Sequence, residues 1–486
     1  MPNQSAAAAP AARPAGLPVQ IDALLYDPDG TASGATWQPA PGMVGQPVAL
    51  TYGFLQTAPD YAAGRGITDV RPFSTVQMQA TRDILRLWSD VANITFTEVA
   101  AGGDIAFATA ATGPSGYAFA PGRDWSGAGD VYLNHTIHDN TTPIPGFIAY
   151  RRLIHEIGHA LGLKHPGAYD VHEPPYLPAS QDNFQYTVMS YTAHPATNYQ
   201  PTTPQLLDIA AVQYLYGANM ATRAGDDTYG FSATEEQMLT IWDGGGTDRL
   251  DLTNQTANLS VDLRDGHFSS IGVERNGTPA SANVAIAYGV VIENAASGSG
   301  HDTVYGNAAA NELRGLTGND TLSGLEGDDV LYGNQGADWV LGESGADTLF
   351  GGQGTDALSG GSESDLIYGN LESDVAWGDD GADTLFGGQG DDTLDGGAGD
   401  DVVAGNLGDD RLAGGPGADR FLMGYATGHD IITDFDAASG DRIQLFPGHG
   451  WSVTATADGA RIDMAPGTAL TLSGVDAGQV AAWWFT

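Results

Sequence analysis

From Ser297 to Leu422 the chain repeats every nine residues, in 14 consecutive units of the form GGxGxDxUx, where U is large and apolar. A period this short, sustained this long, restricts the fold to stacked turns, because each unit can bury its apolar residue only against its neighbours. The glycine-rich half makes a turn whose carbonyls point inward, and the xUx half makes a short strand. Stacking pairs the strands in parallel and aligns the eighth positions, from Val304 and Leu313 to Leu412 and Phe421, as a thin core interrupted only by Ala376. The sixth position is Asp302, Asp320, Asp329, Asp338, Asp347, Asp356, Asp365, Asp374, Asp383, Asp392, Asp401, Asp410 and Asp419, with Asn311 the sole substitute. Carboxylates beside turn carbonyls form the hard oxygen set that calcium prefers. Glu363, Glu372 and Ala309 replace the fourth-position glycine, so one ion per repeat is an upper limit. Without calcium the aligned aspartates repel and the region is expected to be disordered. A flexible Gly/Asp-rich linker, the alternative, would keep no strict register.

Upstream, His155-Glu156-Ile157-Gly158-His159-Ala160-Leu161-Gly162-Leu163-Lys164-His165 sets three imidazoles and one carboxylate at metal-site spacing. Four residues apart on a helix, His155 and His159 share a face and reach one ion. Gly162 tolerates the positive φ that ends the helix and returns His165 to the metal. Three protein ligands leave zinc a position for water, whose pKa it lowers, and Glu156 can take the proton. This chemistry predicts peptide hydrolysis. The HExxH core alone recurs by chance, and the longer spacing with Gly162 and His165 makes the signal specific. His172 and His194 have no motif partner and are expected to be solvated or to line a cleft.

The charge follows from the repeats. Against 60 Asp and Glu stand 18 Lys and Arg, a formal −42, and the repeat region alone carries 25 acids and three arginines. Such a chain repels nucleic acid and anionic membrane and favours cations. The absence of cysteine excludes disulfides, thiolate zinc sites and a cysteine latency switch. No run of 18 apolar residues suggests a membrane span, and Met1 to Pro18, with Arg13 its one basic residue, lacks the pattern of a Sec-type signal.

Coarse patterning divides the chain into a low-complexity leader over 1–20, read as a propeptide, and a catalytic α/β unit over 21–222. A connecting β segment over 223–296, the repeats over 297–422 and a C-terminal segment over 423–486, which a family resemblance carried by the motifs implies is a cap with a secretion signal, complete it. A helix is expected from Ser74, with Val76, Ala80, Ile84, Leu87, Trp88 and Val91 on one face. Strands are expected at 94–99 and 104–108, the metal helix over 147–161, and a third helix over 203–216 capped by Thr203.

The extended histidine motif, followed by Thr187-Val188-Met189-Ser190-Tyr191, resembles the metzincin zinc proteases and their methionine-containing turn. Tyr191, two residues after Met189, resembles the serralysin and astacin pattern, which implies a further zinc ligand that swings away to steady the tetrahedral intermediate. With the nonapeptide repeats, similar to the RTX calcium-binding β-roll, the resemblance is to the serralysin family and covers most of the chain. It implies an α+β metzincin catalytic domain followed by a parallel β-roll with β-sandwich-like connecting and capping strands. It also implies a calcium site between repeats and catalytic unit, with carboxylates of Asp227, Asp243 and Asp248 and carbonyls of Arg223, Gly225 and Gly245. An ordinary pair of Asx-turns is the bland reading of that segment. Protein or peptide substrates, the type I secretion machinery and a protein inhibitor are the implied partners, the last left open by these residues.

The expectation is therefore an extracellular zinc endopeptidase: His155, His159 and His165 hold zinc, Glu156 is general base then acid, and several calcium ions stabilise the roll. The competing class is a surface-associated calcium-binding scaffold with a vestigial protease domain. A narrower variant has the protease act on one surface partner while the long roll tethers it.

Overall fold

The computed structural model describes residues 18–26, 36–38, 43–111, 115–122, 125–169, 174–274, 277–424, 428–445, 451–465 and 468–485. Most of the expected leader, His172 and Thr486 lie outside them. After a short helix α1 (Val19–Asp22), the first half builds a sheet from β1 (Val48–Phe54), β2 (Ile94–Glu98), β3 (Ile105–Ala110), β4 (Gly116–Ala118) and β5 (Val131–Asn134). Its order is β2-β1-β3-β5-β4, parallel except for the antiparallel edge strand β4. Against it pack α2 (Thr75–Val91) and α3 (Ile148–Ala160), while α4 (Leu206–Tyr216) lies against α1 and α2.

Ser74 starts α2 through a capping box, its side chain accepting the Gln77 N–H while the Gln77 side chain accepts from Ser74. The buried face differs from the expected one. Val76 is 46% exposed and Leu87 half-buried, whereas Gln77, Thr81 and Leu85 point inward with Ile84 and Trp88. Gln77 turns in because its amide also reaches the Asn140 carbonyl at 2.8 Å.

The third helix begins later than the expected 203–216. Thr203 does not cap it: its hydroxyl bonds Pro204 O and accepts from Thr240 N. The cap is Gln205, whose N–H is held by Asp208 at 2.8 Å. On α3, Leu153, Ile154 and Ile157, followed by Leu161, are fully buried against the sheet.

The second half is a two-sheet roll whose sheets of 11 and 12 strands are parallel except where Gly459–Ala465 pairs with its two neighbours, and within the repeats each strand pairs with the one 18 residues on. Leu313 faces Leu331, which faces Leu349, and all eighth-position side chains, Ala376 included, are buried to within 1%. Each large one contributes about 2 kcal/mol of burial. Strands Gly428–Ile432 and Arg442–Leu445 extend the two sheets beyond the repeats, and Trp484 and Phe485 close the end against Phe435 and Trp451. This is a metzincin-like unit followed by a β-roll. Among the described residues no helix is long and apolar enough to cross a membrane.

Candidate active site

Helix α3 presents His155 and His159 one turn apart, and its end is fixed by tertiary bonds. Trp37 donates to Ala160 O at 2.7 Å and Tyr216 to Leu161 O at 2.8 Å, satisfying carbonyls that the last turn leaves open. Gly162 then adopts φ +108, and the chain turns back to carry His165. The segment Leu24–Tyr26 braces this turn, since Lys164 N donates to Leu24 O at 2.8 Å and Leu25 bridges Leu163.

The three imidazoles converge. Nε2 of His165 lies 3.2 Å from that of His155 and 3.0 Å from that of His159, and all three rings are buried. Nδ1 of His155 meets Val188 O at 2.7 Å and Nδ1 of His159 meets Leu163 O at 2.8 Å. Those carbonyls hold the Nδ1 protons, which leaves Nε2 lone pairs facing one another. Lone pairs crowded in this way favour a shared cation, so the donor set fits zinc. Burial, then the charges of His159 and His165, pushes His155 well below the ordinary imidazole range.

Glu156 is buried beside this cluster and is not one of its three converging donors. Burial pushes its carboxyl up to about 8, opposed by Arg152 and Arg151. Room for it comes from Gly116 on β4, where a Cβ would fall 2.7 Å from Glu156 Oε1. Met189 lies fully buried under the helix, its sulfur 2.7 Å from where a Gly158 Cβ would stand. Tyr191 is 59% exposed, with its ring centroid 4.5 Å from that of His165 and stacked on Tyr169 at 4.8 Å. His194 is not solvated. It is buried, accepting from Ala196 N at 3.2 Å, with Nε2 3.4 Å from Ala282 O.

Asp208 is a residue that motif reasoning missed. From α4 its carboxylate accepts the Thr187 hydroxyl at 2.6 Å and Val188 N–H at 2.8 Å, fixing the turn that faces His155. Burial pushes it up to about 7.

Two oxygen-rich regions lie beyond. Carboxylate oxygens of Asp227, Asp243 and Asp248 fall within 4.8 Å of one another, with Asp243 and Asp248 buried. Asp248 Oδ2 is buried without a partner, and Glu293, also missed, accepts Asp248 N–H at 2.6 Å. Arg223 and Gly245 adopt φ +48 and +119 on the flanking turns, and the Gly225 carbonyl abuts Gly246. In the roll, each sixth-position Asp accepts through Oδ1 the N–H of the equivalent residue 18 before it, as Asp338 does from Asp320 at 2.8 Å. Twelve of these, Asp320 to Asp419, keep a buried Oδ2 with no hydrogen-bond partner. Orphaned anionic oxygens repeated in this way fit calcium. Asp302 differs: Leu259 N–H and Gly298 N–H occupy both its oxygens. At Asn311 the amide is satisfied by Glu293 O and Asn307. The two ladders continue into Asp430 and Asp441, whose spacings of 20 and 22 residues hid them from the nine-residue pattern.

Residues 218–447 match the family model described as peptidase M10 serralysin C terminal. The chain is 38% identical over 304 residues to the metalloprotease AprA of Pseudomonas entomophila, covering 55% of this chain and 60% of that one. It is 37% identical over 314 residues to serralysin G of Dickeya chrysanthemi, covering 58% and 64%. Against the serralysin of Proteus mirabilis it is 37% identical over 313 residues, covering 56% and 62%. The chain thus spans about three fifths of the length of the relatives it matches. Over 218–447 the chain is similar to the serralysin C-terminal family, and it is a relative of the serralysin-type metalloproteases.

Proposed function

We propose that this chain is a secreted zinc endopeptidase whose roll is stabilised by calcium. The observation that carries the reading is the convergence of three Nε2 atoms beside a buried carboxylate that stays outside the set. A zinc ion held by His155, His159 and His165 supplies positive charge that polarises the scissile carbonyl and acidifies water. Glu156 accepts the proton of the attacking water and returns it to the leaving amine nitrogen. Arg151 and Arg152 offset the negative charge Glu156 carries in its ionised state. Tyr191, exposed and packed against His165, donates its phenol to the developing oxyanion. Strand β4 forms the outer edge of its sheet beside Glu156, and its backbone groups align an extended substrate.

In this reading 21–222 is the catalytic unit, 223–296 the connecting segment, 297–422 the roll and 423–486 its cap. Calcium sits on the orphaned Oδ2 atoms of the ladders and on the Asp227, Asp243 and Asp248 cluster, and export follows the type I route of the resembled family. Casein hydrolysis in millimolar calcium, before and after zinc-selective chelation, tests the reading. Loss on chelation and recovery on adding zinc are expected, and full activity after verified zinc removal would overturn it.

A further inference from the structure

The two sheets of the roll carry unlike outer faces. On strands Thr321–Glu326, Trp339–Ser344, Ala357–Ser362, Val375–Asp380 and Thr393–Asp395, the outward side chains include Glu326, Glu343, Asp379, Asp380 and Asp395. Across the roll, Val330–Gln335, Thr348–Gln353, Leu366–Leu371, Thr384–Gln389 and Val402–Leu407 carry no charged residue at all. In a chain of net charge −42 this strip stands out. Charged residues flank it: Glu312 stands beside Val330 and Arg420 beside Val402 on the neighbouring strands, the Arg314 guanidinium lies 4.2 Å over Tyr332 and 2.8 Å from Glu312, and Glu372 accepts Gly354 N–H at 2.7 Å.

Along this face Tyr332, Phe350, Tyr368 and Phe386 stack ring on ring, with centroids 4.9, 5.1 and 5.2 Å apart. Beside them runs a groove of about 800 Å³ lined by Asn334, Gln335, Gln353, Asn370 and Gln389 among others. The second position alternates between Asn and Gly: Asn334, Gly352, Asn370, Gly388, Asn406. Asn334 and Asn370 donate to the carbonyls of Tyr332 and Tyr368, which fixes their amides, while Gln335, Gln353 and Gln389 stay exposed. The pattern therefore repeats every two strands, about 9.5 Å. Stacking stabilises neighbouring strands and accounts for the rings. It does not account for the missing charge, whereas Asn and Gly follow from the left-handed backbone at those positions, φ +77, +115, +82, +119 and +76.

We propose that this uncharged face binds an extended, neutral β-linked polysaccharide. An anionic polymer finds no cation on these five strands, since Arg314 at their edge is paired with Glu312, and a cationic one finds five carboxylates on the other sheet. The strands' backbone groups are spent on parallel partners at both sides, so a peptide cannot add as a further strand on this face. What remains is a row of amides, hydroxyls and ring edges, which suits a polymer of hydroxyl groups, and two strand spacings approximate an extended disaccharide. A second copy is the weaker occupant: five six-residue strands span about 500 Å² per partner, against the roughly 800 Å² of a stable interface. Binding is independent of the catalytic reading and is measured without cleavage.

The test is cosedimentation of the full chain, in millimolar calcium, with an insoluble neutral β-1,4-glucan. The wild type is retained, and Gln335→Glu with Gln353→Glu weakens retention about tenfold or more by burying carboxylates against the sugar. Ser344→Glu with Ala398→Glu, on the opposite sheet, leaves it unchanged. Far-UV circular dichroism in calcium checks that each variant folds, and Gln353→Ala, which adds no charge, weakens retention in the same direction. Absence of wild-type retention, equal loss in both Glu pairs, no loss in Gln353→Ala, or equal retention on an acidic polysaccharide overturns the proposal.

Discussion

The Asp208 carboxylate accepts the Val188 N–H at 2.8 Å, and the Val188 carbonyl in turn meets His155 Nδ1 at 2.7 Å. A helix remote in sequence thus sets the orientation of one imidazole of the converging histidine cluster. Asp208→Ala leaves Val188 N–H, Gln205 N–H and the Thr187 hydroxyl without their acceptor in a buried site. The expected cost is about 3 kcal/mol of stability. Thermal unfolding measures that loss, and zinc affinity, read by competition with a chelator, falls with it. Asp208→Asn, which keeps one acceptor oxygen, is intermediate.

Gly158 is the contact point between α3 and Met189. A Cβ there would approach the sulfur to 2.7 Å, so Gly158→Ala forces the turn or the helix to shift. Overpacking of this kind costs about 1–3 kcal/mol. Casein hydrolysis is expected to fall together with the unfolding temperature. Met189→Val in the same background removes the colliding atom and recovers part of both.

On the proposed reading, calcium removal acts on the ladders. Their Oδ2 atoms are buried without partners, and burial holds Asp374 up at about 8 and Asp392 at about 7. With chelator the roll is expected to lose its β signal in circular dichroism and to regain it cooperatively on calcium titration. Asp374→Ala shifts the titration midpoint to higher calcium, while Asp302→Ala, whose oxygens are already bonded to backbone, shifts it less.

Asp130 provides a pH signature in the N-terminal half. Its carboxylate accepts Ala106 N–H at 2.8 Å and the Tyr61 hydroxyl, and burial raises it from 3.8 to about 6. A raised folded value means that the folded chain holds the proton more tightly, so this stabilisation is present below about pH 4 and is lost as pH rises through about 6. The unfolding temperature of the wild type minus that of Asp130→Asn should fall across that window and level off above it.

The roll was legible because its period is enforced at every turn: position eight must be apolar and position six must carry the carboxylate. The ladders' continuation into Asp430 and Asp441 was hidden because the connecting chain there lengthens to 20 and 22 residues while the hydrogen bond persists. The histidine motif was legible because helical spacing and a glycine turn are local. Asp208, Gly116 and Glu293 were not, since each acts through a tertiary contact with a partner distant in sequence. The start of α4 was misplaced for a related reason: Thr203 has the chemistry of a cap, but its hydroxyl is taken by Pro204 and Thr240, and Gln205 with Asp208 caps instead.

The central claim is that Glu156 moves the proton in a site whose histidines hold zinc. Its most direct test is metal content and casein hydrolysis measured on the same preparations of wild type and Glu156→Ala, in millimolar calcium. The account predicts one zinc per chain in both, with hydrolysis in the wild type and a loss of about 100-fold or more in the variant. Zinc-loaded Glu156→Ala that cleaves casein at the wild-type rate would contradict it.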